Sequence, residues 1–388
     1  MRVDLIGHPF APIGVGDCLR SSFRAMREVG LDPRLVDVFD LRYGDRELED
    51  ELAGHLAFDP RGDVQVFFVN GDEVPTVFGR LGPRVRPEAH KIIQPMWELE
   101  VYPSEWARHL ERFDEVWAVS AFIRDAISRA VARPVFTFPS PVAVRIGSPL
   151  GRRYFAIPES PFAFLFAFDL RSYAERKNPG AVLEAFRRLR RARPHADVVL
   201  LLKVSGAEAR PQAYEEFQRL AAATAEAEPG RVVFLPGQMT DLEVKNLLWC
   251  SDCFVSLHRS EGFGRLLAEA MLLEKPVIAT AYSGNLDFMT PETACLVPCR
   301  LTPVGAGEYP FGDGQVWAEP DLEAALAYML RLLDDRPFAR ALGVRAGRYV
   351  RTRLSHRAVG LQYLERLTAL QAARSGARSA PASPPTGR

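Results

Sequence analysis

Short apolar segments recur along this chain in two sets of six, and stretches with the apolar spacing of helices separate them. The segments are continuously apolar rather than alternating, which is typical of parallel strands that helices cover on both faces. The first set occupies residues 2–7, 34–39, 64–70, 91–97, 114–120 and 134–140. The second set occupies residues 162–168, 197–204, 231–237, 252–258, 276–282 and 294–298. The sequence therefore predicts an α/β protein with two doubly wound, Rossmann-like domains.

The boundary between the two predicted domains falls in residues 145–160, a stretch rich in glycine, proline and arginine. We therefore expect a first domain over residues 1–150 and a second domain over residues 160–345. Residues 373–388 are rich in alanine, serine, proline and arginine and lack apolar periodicity, so this segment is predicted to be a disordered tail.

Charge and hydropathy exclude several classes of protein. Lys plus Arg and Asp plus Glu number 49 each, so the sequence does not predict a generally basic chain that binds nucleic acid. No apolar run approaches the about 18 residues expected of a membrane span. The first residues, MRVDLIGHPF, read as a strand entering a turn rather than as a signal peptide.

The cysteines raise the question of a metal site, because Cys250 and Cys253 form a C-x2-C pair and Cys295 and Cys299 follow later. However, Cys253 and Cys295 lie in predicted buried strands, where a free thiol behaves as a small apolar group. We therefore predict free cysteines in a packed core rather than a zinc site.

The segment SEGFGRLLAEAMLLEKPVIATAYSG, residues 260–284, contains two glutamates on either side of a tight turn. Glu261 follows a predicted strand, at the sheet edge where open α/β sheets bind their ligands. The turn consists of Gly262, Phe263 and Gly264. A helix that begins after it would attract phosphate through its free N–H groups, and Glu269 lies inside that helix. Two carboxylates around an anion site suit the hydroxyls at both ends of a sugar nucleotide.

Cationic side chains follow the first strand of the second set, in the segment DLRSYAERKNPG at residues 169–180. They are Arg171, Arg176 and Lys177. Arginine makes bidentate contacts and lysine supplies a mobile point charge, and both suit a diphosphate. Such a cluster alone is more often a solvated loop, but its place at the same sheet edge as Glu261 favours a binding site.

These motifs resemble those of the group-1 family of retaining glycosyltransferases of GT-B fold. The E-x7-E motif of that family matches Glu261 and Glu269, and its Arg…Lys pair matches Arg171 and Lys177. The resemblance extends over nearly the whole chain and is closest to the bacterial polysaccharide branch. The further segments that carry it are residues 11–20, 95–122, 282–289 and 317–321.

The resemblance implies roles in donor binding. Glu261 would contact the hydroxyls of the donor sugar, and Glu269 would hold the ribose. Arg171 and Lys177, with Arg176 beside them, would neutralise the diphosphate leaving group. The residues of the tight turn would line the donor site with them.

The resemblance also implies roles for the first domain. Gly14 or Gly16 would let the N-terminal loop approach the donor phosphate. The family often has a histidine after its fourth N-terminal strand, where this chain has Trp97 and Glu98. Glu98 there would either orient the acceptor hydroxyl or have a structural role. A C-terminal helix over residues 351–372 is expected to pack back onto the first domain.

The predicted reaction is hexosyl transfer with retention from a nucleotide diphosphate-sugar donor to a saccharide or lipid-linked acceptor, with the donor phosphate taking the proton. No Asp-x-Asp pair follows a strand, so neither a metal nor a cofactor other than the donor is predicted. A cytoplasmic protein with peripheral contact to the inner membrane face, active in cell-envelope polysaccharide or glycolipid synthesis, is expected from the resemblance.

Two other hypotheses compete with an active transferase. A sugar-nucleotide-binding protein that has lost catalysis would bind donor without turnover. A Rossmann dehydrogenase would carry G-x-G-x-x-G after its first strand, and the segment GHPFAPIGVG lacks that spacing.

Overall fold

The computed structural model describes residues 1–42 and 45–379, and it shows two α/β domains. The first domain alternates strands and helices from its first residues. Its strands are β1 Val3–Gly7, β2 Arg34–Asp37, β3 Val64–Phe68, β4 His90–Ile93, β5 Glu115–Ala118 and β6 Val135–Thr137. Its helices are α1 Gly14–Glu28, α2 Arg46–Ala53, α3 Val74–Leu81, α4 Ser104–Leu110 and α5 Ala121–Ser128. The six strands form one parallel sheet in the order β2-β1-β3-β4-β5-β6.

The second domain repeats this plan and ends in helices. Its strands are β7 Phe162–Asp169, β8 Val198–Ser205, β9 Val232–Pro236, β10 Cys253–Ser256, β11 Val277–Thr280, β12 Cys295–Val297, β13 Cys299–Pro303 and β14 Val316–Pro320. Its helices are α6 Ala174–Lys177, α7 Pro179–Ala192, α8 Pro211–Ala227, α9 Asp241–Cys250, α10 Arg265–Leu272, α11 Leu322–Asp334, α12 Arg336–Arg353 and α13 His356–Ser379. Six strands form a parallel sheet in the order β12-β11-β10-β7-β8-β9.

Both sheets confirm the predicted parallel strands, and each lies between layers of helices. The strands β1, β3 and β8 are buried along their whole length, as expected for strands covered on both faces. One predicted strand is too long, because β4 ends at Ile93 and residues 94–97 leave the sheet as a loop. That loop carries Trp97 and Glu98 to the edge of the cleft.

The antiparallel hairpin of β13 and β14 was not predicted. Its strands pair from Cys299 opposite Pro320 to Pro303 opposite Val316. We call residues 299–320, with the tip between the two strands, the arm.

The last helix, α13, packs against the first domain rather than the second. The Tyr363 ring stacks on Trp117 with ring centroids 5.3 Å apart, and the Tyr363 hydroxyl lies 2.9 Å from Ser22 Oγ on α1. At Gly360 a Cβ atom would lie 2.3 Å from the Ala25 carbonyl oxygen, so the glycine allows the two helices to approach closely. The chain therefore crosses between the domains twice.

The C-terminal boundaries differ from the prediction. Residues 351–353 end α12, and α13 continues through Ser379, so residues 373–379 lie in a helix rather than in a tail. The rest of the predicted tail, residues 380–388, lies outside the described residues. No helix in the described part of the chain is long and apolar enough to cross a membrane.

The five cysteines are free. Cys253 and Cys295 lie fully buried on β10 and β12, as the sequence predicted. Across residues 1–42 and 45–379, no group of three or more His, Cys, Asp or Glu side chains is placed to hold a metal ion.

Candidate active site

The loop between β10 and α10, residues 257–264, forms the centre of the candidate site, and we call it the motif loop. Gly264, the residue before α10, has φ +89°, a conformation that favours glycine. A Cβ atom at Gly284 would lie 1.9 Å from the Gly262 carbonyl oxygen, so a second glycine turn packs directly on this loop. Ser283 Oγ accepts a 2.8 Å hydrogen bond from the Glu261 backbone N–H. Phe263 is buried and packs against Phe288. These contacts hold the motif loop in one conformation.

Glu261 lies in the middle of this loop, between two cations. Its carboxylate accepts hydrogen bonds from Lys177 Nζ and from Arg176 Nη1, the latter at 3.3 Å. Arg176 also donates to the Ser260 carbonyl oxygen at 2.8 Å. Burial alone would raise the pKa of Glu261, but the charges of Lys177 and Arg176 outweigh it and bring the pKa to about 2. Glu261 is therefore ionised at neutral pH.

The cations themselves are buried at the carboxyl edge of the second sheet. Arg176 is 3% exposed, and burial together with the Arg176 charge lowers the pKa of Lys177. They lie on α6, a single helical turn flanked by Tyr173 and Asn178, which both have positive φ angles. This turn directs the Arg176 side chain inward. The structure thus brings two cations together at Glu261, on the loop that leads into α10, which is an arrangement suited to an anion.

Arg171 is paired with a different carboxylate. Its guanidinium pairs with Asp169 at 2.8 Å, and Asp169 also accepts a bond from the Arg171 backbone N–H. The sequence paired Arg171 with Lys177, whereas the structure places Arg176 beside Lys177 on Glu261. Both arginines follow β7, and the fold of α6 decides which one faces the motif loop.

Glu98 of the first domain reaches this cluster from across the cleft. The Tyr309 hydroxyl, in the arm, donates to Glu98 Oε2, and Glu98 Oε1 lies 3.8 Å from Arg176 Nη2. The Glu98 backbone carbonyl accepts a hydrogen bond from Ser260 Oγ. At Gly262 a Cβ atom would lie 3.0 Å from the Trp97 carbonyl oxygen, so the two domains touch at the motif loop.

Glu269 occupies a different environment from Glu261. It is completely buried in α10, where Lys245 Nζ lies 2.6 Å and Arg265 Nε lies 2.9 Å from its carboxylate oxygens. Burial disfavours the charged form of Lys245, but Glu269 and Asp241 outweigh it and raise the pKa of Lys245. Sequence reasoning missed Lys245 and Arg265. The i, i+4 spacing of Arg265 and Glu269 could have indicated one of these pairs.

The two glycines of the N-terminal loop differ in their surroundings. Gly14 is exposed at the start of α1, and a Cβ atom there would meet nothing within 4 Å. Gly16 is buried, and a Cβ atom would lie 2.5 Å from the Ala11 carbonyl oxygen. Gly16 is therefore required by packing, while Gly14 borders open space at a helix N-terminus. Close to this helix, Arg265 Nη1 donates to the Pro141 carbonyl oxygen at 3.2 Å, a second contact between the domains.

Comparisons with known proteins identify the class. A family model described as "Glycosyl transferases group 1" matches residues 155–348, and the chain belongs to this family. The protein is therefore a glycosyltransferase, in agreement with the resemblance in its motifs. No curated protein sequence matches the chain significantly.

Solved structures show the same two-domain GT-B fold. Anabaena Alr3699/HepE in complex with UDP and glucose superposes with a TM-score of 0.72 and 13% identity, covering 95% of this chain and 100% of that one. Sucrose-phosphate synthase from Thermosynechococcus elongatus gives a TM-score of 0.69 and 20% identity over 96% of this chain and 100% of that one. An E. coli structure described as trehalose-6-phosphate bound with UDP-2-fluoro glucose gives a TM-score of 0.65 and 11% identity, covering 95% of this chain and 99% of that one. The two predicted Rossmann-like domains are thus confirmed.

Proposed function

We propose that this glycosyltransferase moves a hexosyl group, with retention, from a nucleotide diphosphate-sugar to an acceptor hydroxyl. The observation that carries this proposal is the convergence of Arg176 and Lys177 on Glu261, on the loop before α10 and opposite Glu98. Structures of the same fold contain UDP, UDP with glucose, or UDP-2-fluoro glucose. We therefore propose a uridine nucleotide as the first donor to test.

The diphosphate is proposed to bind where Arg176 and Lys177 meet the free N–H groups of α10. These groups would stabilise the charge that develops on the leaving phosphate, without a metal ion or a cofactor other than the donor itself. Glu261, ionised and fixed between the two cations, would accept hydrogen bonds from the hydroxyls of the donor sugar. Glu98 would orient the acceptor hydroxyl from the other side of the cleft.

In the proposed reaction the bond between the anomeric carbon and the phosphate oxygen breaks, and the electron pair leaves with the phosphate. The acceptor oxygen bonds to the anomeric carbon on the same face. Its proton passes to the leaving phosphate, so no separate protein base is needed. The products are the glycosylated acceptor and the nucleoside diphosphate.

For Glu269 the geometry supports a positioning role in addition to the proposed contact with the ribose. Its buried carboxylate is paired with Lys245 and Arg265, while Glu269 Oε1 has no hydrogen-bond partner among the described residues. We propose that Glu269 fixes these two cations, and that they border the nucleoside end of the donor site together with Gly14 of the first domain.

The test of the function is turnover with a panel of UDP-, GDP- and ADP-sugars, measured as release of the nucleoside diphosphate, first with water and then with saccharide and lipid-linked acceptors. Release from at least one donor supports the transferase. Tight binding of a donor without release under any of these conditions would instead support the catalytically inactive sugar-nucleotide-binding protein.

The contact between Glu261 and the cations predicts which arginine contributes to nucleoside diphosphate binding. Truncating Arg176 to alanine should weaken nucleoside diphosphate binding by about tenfold or more, since a hydrogen bond to a charged group contributes about 1.5–3 kcal/mol. The same truncation at Arg171 should change the affinity less than about threefold, because the Arg171 guanidinium is paired with Asp169. Titration calorimetry measures both. A larger loss at Arg171 than at Arg176 would place the diphosphate on the other side of α6.

We also propose peripheral contact with the inner membrane face, in keeping with a lipid-linked acceptor and synthesis of cell-envelope polysaccharide or glycolipid in the cytoplasm. The support is α12, whose sequence RPFARALGVRAGRYVRTR contains arginines and no acidic residue. A shallow groove on this helix is lined by Arg336, Pro337, Arg340, Ala341, Val344 and Arg345. Basic and apolar side chains on one helix face suit an anionic lipid surface.

This contact predicts binding to phosphatidylglycerol vesicles but not to phosphatidylcholine vesicles. Replacing Arg340 and Arg348 by glutamine should weaken vesicle binding by about 30-fold, at about 1 kcal/mol per arginine. A matched control replaces Arg187 and Arg191, which pair with Glu184 on α7. Co-sedimentation measures both variants. Equal losses in the two would show that total charge, not α12, determines the binding.

A further inference from the structure

The arm joins the two domains over the cleft. It belongs to the second domain, yet its tip lies on the loop of the first domain that carries Trp97 and Glu98. Gln315 Oε1 accepts a 2.9 Å hydrogen bond from the Val101 backbone N–H. The Phe311 ring packs edge-on against Trp106 with ring centroids 5.2 Å apart. These contacts exist only while the two domains face each other closely.

Arg259 fixes the base of the arm to the motif loop. Its Nε donates to Glu319 at 2.9 Å, and its backbone carbonyl accepts a 2.9 Å bond from the Ala318 N–H. Its Nη1 also donates to the Glu175 carbonyl oxygen at 3.1 Å, on the helix that carries the two cations. The arm, α6 and the motif loop are therefore held together as one unit of the second domain.

Tyr309, at the tip of the arm, contacts both charges of the cleft. Its hydroxyl donates to Glu98 Oε2, and its ring lies 6.0 Å from the Arg176 guanidinium. The ring packs against Trp97 and Tyr173, with centroids 5.8 and 5.0 Å away. Tyr309 is thus fixed on both sides, and it determines where the Glu98 carboxylate lies.

The position of Glu98 matters because Arg176 attracts it strongly. The two side chains are 19% and 4% exposed, so little water screens their attraction. Nevertheless, Glu98 Oε1 stays 3.8 Å from Arg176 Nη2, beyond hydrogen-bond distance. The Tyr309 hydroxyl donates a hydrogen bond to the other carboxylate oxygen, and Ser260 Oγ donates one to the Glu98 backbone carbonyl. Without the hydroxyl, the carboxylate would be drawn onto the guanidinium.

We propose that Tyr309 is a positioning residue that holds Glu98 away from Arg176, so that the guanidinium remains available to a diphosphate when the domains close. This inference rests on the proposed function, because it assigns the diphosphate to Arg176. It adds that Glu98 competes with the diphosphate for Arg176. Since Glu98 belongs to the first domain and Tyr309 to the second, the arm couples domain closure to this competition.

The test uses Tyr309→Phe, Glu98→Gln and the double variant of the full chain, titrated with UDP, ADP and GDP. Tyr309→Phe keeps the ring contacts and should weaken diphosphate binding by about five- to tenfold, the effect expected of one hydrogen bond. Glu98→Gln removes the competing charge and should tighten binding. The double variant should bind as tightly as Glu98→Gln alone.

Tyr154→Phe is the matched control, because it also removes a hydrogen bond between a tyrosine and a glutamate. That bond, to Glu243, lies on the exposed surface. The diphosphate affinity of Tyr154→Phe should therefore match that of the wild type.

A structural role for Tyr309 makes a different prediction, because loss of folding would not be rescued by Glu98→Gln. If the double variant binds as weakly as Tyr309→Phe, or if Tyr309→Phe binds like the wild type, the inference is overturned while the proposed function stands. If the wild type binds none of the three nucleotides, both are overturned. Phe311→Ala removes a contact of the tip without changing Glu98, so it should produce a smaller loss of diphosphate affinity. Adding Glu98→Gln to this variant should restore the affinity.

Discussion

Glu261→Gln should lower sugar transfer by about 100-fold or more while leaving nucleoside diphosphate affinity equal or higher. The substitution keeps the size of the side chain but removes the charge proposed to bind the hydroxyls of the donor sugar, and losses of about 10²–10³ in turnover follow removal of one such electrostatic contact. Arg176 and Lys177 would lose the anion that now partly neutralises them. They would therefore attract a diphosphate at least as strongly as before.

Turnover and calorimetry separate these two effects. Thermal unfolding would show whether Glu261→Gln remains folded, since a buried carboxylate between two cations also contributes to stability. Full transfer activity in a folded Glu261→Gln protein would contradict the assignment of Glu261 to the sugar site.

Glu269→Ala should lower the free energy of unfolding by about 3–5 kcal/mol, the usual cost of removing one partner of a buried ion pair. Lys245 is 5% exposed, and its charge would remain buried beside Arg265, with Asp241 at 3.0 Å to balance it in part. Chemical denaturation measures the change.

Glu274→Ala is the matched control, because it is the same substitution at the far end of α10. Glu274 is exposed and pairs with Arg351 at 3.5 Å, so its loss should cost no more than about 1 kcal/mol. Equal stability losses in both variants would contradict the view that buried Glu269 neutralises Lys245 and Arg265.

The sheets were predictable because many of the parallel strands contain a short uninterrupted apolar run, as VVLLL in β8 illustrates. The arm was not predictable in the same way. It is a two-stranded hairpin with an exposed face, in which Leu301 is 55% exposed, so it lacks the apolar signal of a covered strand. Its tip contacts Trp97 and Glu98, which lie some 200 positions earlier in the sequence.

The sequence also does not determine which of the two arginines after β7 contacts Glu261. Arg171 and Arg176 both follow β7, and sequence spacing does not decide between them. The positive φ angles of Tyr173 and Asn178 turn Arg176 toward Glu261, while Asp169 holds Arg171. The neutralisation of Glu269 by Lys245 likewise depends on the packing of α9 on α10, which no local pattern specifies.

Residues 145–160, which link the two domains, are in part anchored to the second domain. Arg152 donates to the Cys250 carbonyl oxygen and to Asp252, and the Leu150 N–H donates to Asn246 at 2.7 Å. The end of the linker therefore belongs to the second domain. Any closing motion of the domains is expected to bend the chain before Ser148, whose carbonyl oxygen also contacts Asn246.

The most direct test of the account is a crystal structure of the protein with UDP. It should show the diphosphate within hydrogen-bond distance of Arg176 and Lys177 and at the N-terminus of α10, with Glu98 still bound to Tyr309. A diphosphate bound at Arg171, or anywhere without contact to Arg176 and Lys177, would contradict the proposed donor site.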